Sequence, residues 1–147
     1  MAALHPFFVH FPIALLLAAM LFDFFGQMRQ WASAKSSAFA LQILAAVSAL
    51  LAGFTGNRAE SVVLGQQKLS EGIAPELVSH VGWGNSMVWI ILIFVIARSF
   101  VILEKKQWAL DGWIIPLGSA VLSALVIYTG LLGGELSRSI LNYYILK

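Results

Sequence analysis

The apolar positions of this chain fall into four long runs, about 7–28, 37–55, 78–103 and 112–132. Each has close to the ~20 mainly apolar residues that a helix needs to cross a bilayer. The connections alternate in length. Gln27 to Ser36 and Glu104 to Asp111 are short, so runs one and two, and three and four, should each fold back as an antiparallel hairpin. The middle connection, Gly56 to Leu77, is long and polar, and Arg58 to Leu69 within it predicts a short interfacial helix closed off by Gly72 and Pro75. The pattern therefore predicts an all-α integral membrane protein. It is a four-transmembrane-helix bundle built from two helical hairpins, forming one domain over residues 1–147.

Composition strengthens that expectation. The chain is 11% charged and 60% hydrophobic, where a soluble domain is about 25% charged, and its mean hydropathy is +0.87. A net charge of +2, with no basic cluster beyond Lys105-Lys106, gives no support to nucleic-acid binding. The absence of cysteine excludes disulfides, thiolate metal sites, iron–sulfur ligation and thioether-linked haem. Ala32-Ser33-Ala34 resembles a signal-peptidase site, but Arg29 and Lys35 follow the first apolar run instead of preceding it, so this run is expected to be retained. Counting Lys and Arg sets Arg29, Lys35, Arg98, Lys105 and Lys106 on one side against Arg58, Lys68, Arg138 and Lys147 on the other. That bias places the hairpin tips in the cytoplasm and both termini on the outer face.

Candidate chemistry gathers at the mouths of the apolar runs. Leu4-His5-Pro6-Phe7-Phe8-Val9-His10-Phe11-Pro12 opens the first, and His80 opens the third. An ionisable side chain entering lipid is costly and marks a functional hypothesis. A weak internal repeat pairs His10 with His80, and Thr55-Gly56 with Thr129-Gly130, so two like hairpins would stack about an axis along the membrane normal. One turn below the histidines lie Ala14 and Gly84, with Gly82, Gly130, Gly133 and Gly134 at the same level, leaving room for a flat macrocycle. These residues fit haem b between the first and third helices, with His10 and His80 as axial ligands and Arg58 and Arg138 meeting the propionates. His5, turned about 140° from His10 on the same helix, is expected at the water interface. The competing readings are histidines and glycines that only pack the bundle, and a chlorophyll or quinone held by one histidine. The functional expectation is a cytochrome b-like electron-transport subunit. The alternative is a cofactor-free structural or accessory subunit of a larger respiratory or photosynthetic complex.

Other polar residues carry less. Asp23 and Arg98 stand near matching ends of the first and third runs, where they can pair or each snorkel to the interface, the commoner behaviour. Trp31, Trp83, Trp108 and Trp113 stand at run ends as an interfacial belt, and Trp89 is deep enough to line a cofactor. Ser37, Gln42, Ser48, Ser119 and Ser123 read as mild packing groups. Pro12 predicts a kink or marks the true helix start. No catalytic constellation is present: there is no His-Glu-x-x-His, glycine-rich phosphate loop or Ser-His-Asp set at one level.

With those residues in view, the chain resembles a DUF2231-type family of small bacterial predicted membrane proteins. The likeness rests on Leu4-His5-Pro6, Val9-His10-Phe11-Pro12-Ile13-Ala14-Leu15-Leu16, Thr55-Gly56, His80 followed by Asn85, and Thr129-Gly130-Leu131-Leu132-Gly133-Gly134-Glu135-Leu136. The resemblance implies the bacterial inner membrane. Relatives joined to Rieske or cytochrome c modules imply redox partner subunits on the outer face. A further histidine that the family commonly carries after Gly-Gly-Glu-Leu is missing here between Ser137 and Tyr144, which leaves His10 and His80.

Overall fold

The computed structural model describes residues 4–65, 73–106 and 112–145. Four helices account for nearly all of them: α1 (His5–Met28), α2 (Ala32–Leu64), α3 (Ala74–Leu103) and α4 (Ile114–Ile145). No strand occurs among the described residues. With 24, 33, 30 and 32 residues, the helices run about 36 to 50 Å at 1.5 Å per residue. All four are long and apolar enough to span a membrane.

The helices form a ring. α1 and α3 each pack on both α2 and α4, and the diagonal pairs α1/α3 and α2/α4 make no backbone contact. The central core draws on every helix: Leu16, then Ala45, Ala46 and Ala49, then Met87 and Ile91, then Leu122 and Val126. Leu21, Phe22, Val47, Leu51, Trp89, Ile93, Ile96, Leu117 and Val121 face outward. This arrangement, apolar outside and small or polar inside, is what a lipid solvent selects. On α2 the buried residues Ala34, Ala38, Gln42, Ala45, Ala49 and Ala52 recur at steps of three or four, a coiled-coil-like seam made mostly of small side chains. The seam brings α1 close. A Cβ on Gly26 would stand 3.0 Å from the backbone nitrogen of Lys35.

Both tight turns use one device. Trp31 N–H bonds to Gly26 O at 2.8 Å and Gln30 N–H to Gln27 O at 3.4 Å, while Lys106 N–H bonds to Val101 O at 3.0 Å and Lys105 N–H to Ile102 O at 3.2 Å. These are paired Schellman caps. The left-handed residues in them, Gln30 (φ 51°) and Lys105 (φ 49°), are not glycine. A Cβ in that region costs about 1–2 kcal/mol. Lys105→Gly should therefore stabilise the bundle by up to about 1 kcal/mol once the added chain entropy of glycine is subtracted, measured as a rise in melting temperature in detergent.

Two helices exceed their apolar runs. α2 continues past Thr55 to Leu64, so residues 58–64 prolong a membrane helix where a separate interfacial helix was expected. Residues 66–69 of that expected helix, with Gly72, Lys68, Trp108 and Lys147, lie outside the described residues. α4 likewise runs through Gly133-Gly134 to Ile145. A second small core rewards both extensions: Ile73, Leu77 and Leu136 are buried there against Val63, Val81, Ile140 and Tyr143. α1 is helical straight through Pro12, which is buried, so that proline does not mark its start.

Candidate functional site: two imidazoles in a glycine-lined cavity

A cavity of about 460 Å³ opens between all four helices at the end where α1 and α3 begin. His5 and His80 reach into it from diagonally opposite helices, their ring centroids 6.0 Å apart and the planes at 68°. Nδ1–H of His5 donates to the carbonyl of Ala52 at 3.0 Å, with Thr55 Oγ1 at 3.4 Å. That bond fixes the tautomer and leaves the Nε2 lone pair available, the usual second-sphere arrangement of a metal-ligating histidine. Nδ1 of His80 is buried and meets no acceptor in good hydrogen-bond geometry, but the backbone of Thr129, the repeat counterpart of Ala52, interacts with the ring.

Each ring lies on a glycine. A Cβ on Gly56 would come within 3.0 Å of His5 Cε1, and one on Gly133 within 2.9 Å of His80 Cε1. One residue pair further in, a Cβ on Gly53 would meet Val88 at 3.2 Å and one on Gly130 would meet Ile13 at 3.1 Å. These contacts reveal an internal repeat. A displacement of 75 carries His5 to His80, Ile13 to Val88, Leu16 to Ile91 and Asp23 to Arg98. One of 77 carries Gln42 to Ser119, Gly53 to Gly130 and Gly56 to Gly133. The two hairpins are thus related by an approximate two-fold axis along the bundle. The repeat differs in register from the one the sequence suggested: His5 matches His80, His10 matches Asn85, and Gly-x-x-Gly matches Gly-x-x-Gly.

The histidine opposite His80 is therefore His5 and not the expected His10. His10 is among the residues lining the cavity, but it is exposed, with Nδ1 bonded to the carbonyl of Pro6 in its own helix. The physical reason is the seam of α1. His5, Pro12, Leu16, Ala19 and Asp23 face the core, and His5 to Asp23 is 18 residues, or five full turns. A residue five after His5 points about 140° away. Ala14, one turn below His10, is exposed with it and does not line the cavity, whereas Gly84 and Gly130 do. Arg58 and Arg138 are both exposed and outside the cavity wall; Arg58 stacks over Phe54 at 5.6 Å. Trp89 faces outward, 65% exposed, and does not line this cavity.

At the opposite end, where the tight turns lie, the two-fold axis passes through a buried polar cluster fed by all four helices. Asp23 and Arg98, 2% and 5% exposed, form an ion pair at 2.7 Å. The same Asp23 Oδ2 accepts from Ser119 Oγ at 2.6 Å and Gln42 Nε2 at 3.0 Å. The guanidinium of Arg98 also donates to Gln42 Oε1 at 2.9 Å and to the carbonyl of Lys35 at 3.0 Å. Of the two behaviours open to Asp23 and Arg98 in the sequence, pairing is the one adopted. Gln42 and Ser119, read there as packing residues, belong to the network.

The fold and this cavity together define a four-span helical membrane protein with a paired-histidine site between diagonal helices. Among the described residues no three His, Cys, Asp or Glu side chains gather as metal ligands. The chain belongs to the family described as Predicted membrane protein (DUF2231), whose model matches residues 1–140. No curated protein and no solved structure matches it.

Proposed function

We propose that the protein is a membrane electron-transfer subunit that holds haem b between α1 and α3, with His5 and His80 as the axial ligands. The observation that carries this reading is the pair of facing imidazoles, 6.0 Å between centroids, on a bed of glycines. Two metal–imidazole bonds of about 2 Å, plus the ring radii, separate two centroids by about 6 Å. Two histidines leave a bare metal ion short of ligands, but they complete a metal whose other four come from a tetrapyrrole. His5 on α1 and His80 on α3 would hold such a ring, with α2 and α4 on either side of it. There the cavity wall carries Gly53 and Gly56 on one helix and Gly130, Gly133 and Gly134 on the other. The His5–Ala52 bond orients one ligand and raises its basicity. Iron held this way supplies one-electron transfer.

The proposal places the chain in a bacterial inner membrane. The tight turns, which bear Arg29, Lys35, Lys105 and Lys106, face the cytoplasm, and the haem lies near the outer face, where redox subunits act as donor and acceptor. A second reading, a cofactor-free accessory subunit, draws on the same His5–Ala52 bond as a tie between α1 and α2. A pigment or quinone held by one histidine leaves the second imidazole without a part.

The test is an absorption spectrum of protein purified from haem-sufficient cells, with a pyridine haemochrome assay. A low-spin Soret band at about one haem per chain is expected; its absence from a cofactor-replete preparation rejects the haem reading in favour of the accessory one.

A further inference from the structure

At the turn end a second cavity, of about 420 Å³, lies against the buried ion pair, within the usual range for small-ligand pockets. Its wall divides by chemistry: Asp23, Gln27, Gln30, Lys35 and Arg98 on the polar side, and Phe39, Ile102, Ile115 and Pro116 on the apolar side. Arg98 is 5% exposed. Its terminal nitrogens serve Asp23, Gln42 and the Lys35 carbonyl, but Nε is buried with no acceptor. A buried guanidinium N–H left unpaired is costly, and natural proteins rarely leave one. We propose that this cavity binds the headgroup of a membrane amphiphile through an uncharged carbonyl oxygen that accepts from Arg98 Nε–H, its tail lying along Phe39, Ile102 and Ile115.

Charge selects the class of headgroup. Asp23 compensates Arg98 at 2.7 Å, so the Nε donor sits in a pair that is neutral in itself; the other cation of the wall, Lys35, reaches away to Gln30 Oε1 at 3.4 Å on the exposed side. A phosphate would meet the Asp23 carboxylate there; a neutral carbonyl would not. Depth agrees. Asp23 and Arg98 each stand five residues before their helix ends at Met28 and Leu103, about 7.5 Å along the axis, near the boundary between headgroups and hydrocarbon. Two membrane components present such an oxygen at that level, the ring of a prenylated quinone and the ester of a glycerolipid. The site is 18 residues, about 27 Å along α1, from His5 and does not rest on the haem reading.

Delipidated full-length protein in detergent would be titrated with decylubiquinone in one arm and with phosphatidylethanolamine in mixed micelles in the other, and read by native mass spectrometry. One saturable equivalent in either arm is expected and identifies the source. Ile115→Trp fills the apolar side without touching the polar cluster, and Arg98→Lys keeps the counter-charge for Asp23 but removes Nε–H. Each should weaken binding at least tenfold with an unchanged size-exclusion profile, and Ile115→Trp should do so at unchanged melting temperature. Failure of both amphiphiles to bind the native protein, or native-like binding by both variants, overturns the proposal.

Discussion

Arg98→Met is expected to cost about 3–5 kcal/mol of stability, the usual penalty for removing one partner of a buried ion pair. The variant strands the Asp23 carboxylate, 2% exposed, with only Ser119 and Gln42 as donors. Asp23→Leu should be similarly damaging, since it leaves a buried guanidinium whose remaining acceptors are the Gln42 amide oxygen and the Lys35 carbonyl. The combined Asp23→Leu/Arg98→Met protein should recover most of the loss, because well-packed apolar groups of similar size replace buried ion pairs at little cost. Chemical unfolding in detergent, with size-exclusion profiles as a check on assembly, measures the cycle. A double variant as unstable as the sum of the singles would contradict the account of this pair as mutually dependent.

The second large effect concerns the histidines. His5→Ala and His80→Ala should each eliminate the low-spin bis-imidazole spectrum expected of the wild-type protein, and His10→Ala should leave it intact. The contrast is built into α1: His5 points down the core seam and bonds Ala52, and His10 turns back onto Pro6. Gain of an external ligand offers a rescue, since imidazole added to the Ala variants can occupy the vacated space above Gly56 or Gly133. A spectrum lost in His10→Ala and retained in His5→Ala would show the assignment of the axial pair to be wrong.

Most of the architecture could be read from the sequence, because bilayer thickness imposes a length on apolar runs and hairpin connections leave little freedom between them. The ends of the helices could not. α2 and α4 continue through polar and glycine residues because Ile73, Leu77 and Leu136 offer them a second core, a tertiary reward that local composition does not display. His80 and the glycines of α4 were legible at the site, and the angle between His5 and His10 was too. What went astray was the choice of which histidine faced inward. Apolar residues surround a membrane helix on all sides, so the seam cannot be found by hydrophobic periodicity. The usable signal was spacing: His5 and Asp23, five turns apart, share one direction, and Asp23 has a partner in Arg98 at the repeat position. Gln42 and Ser119 carried the same signal, since each recurs as a polar residue at a displacement of 77.

The unequal charges at that repeat position bear on how the chain came to close on itself. Were two copies of the first hairpin to assemble about the same axis, aspartate would stand against aspartate in lipid; two copies of the second would set guanidinium against guanidinium. Either twinned assembly carries a like-charge repulsion in a medium that screens poorly, and only the mixed partnership is neutral. One acid and one base thus make each half an acceptable mate only for the other kind, which disfavours pairing between like hairpins of neighbouring molecules.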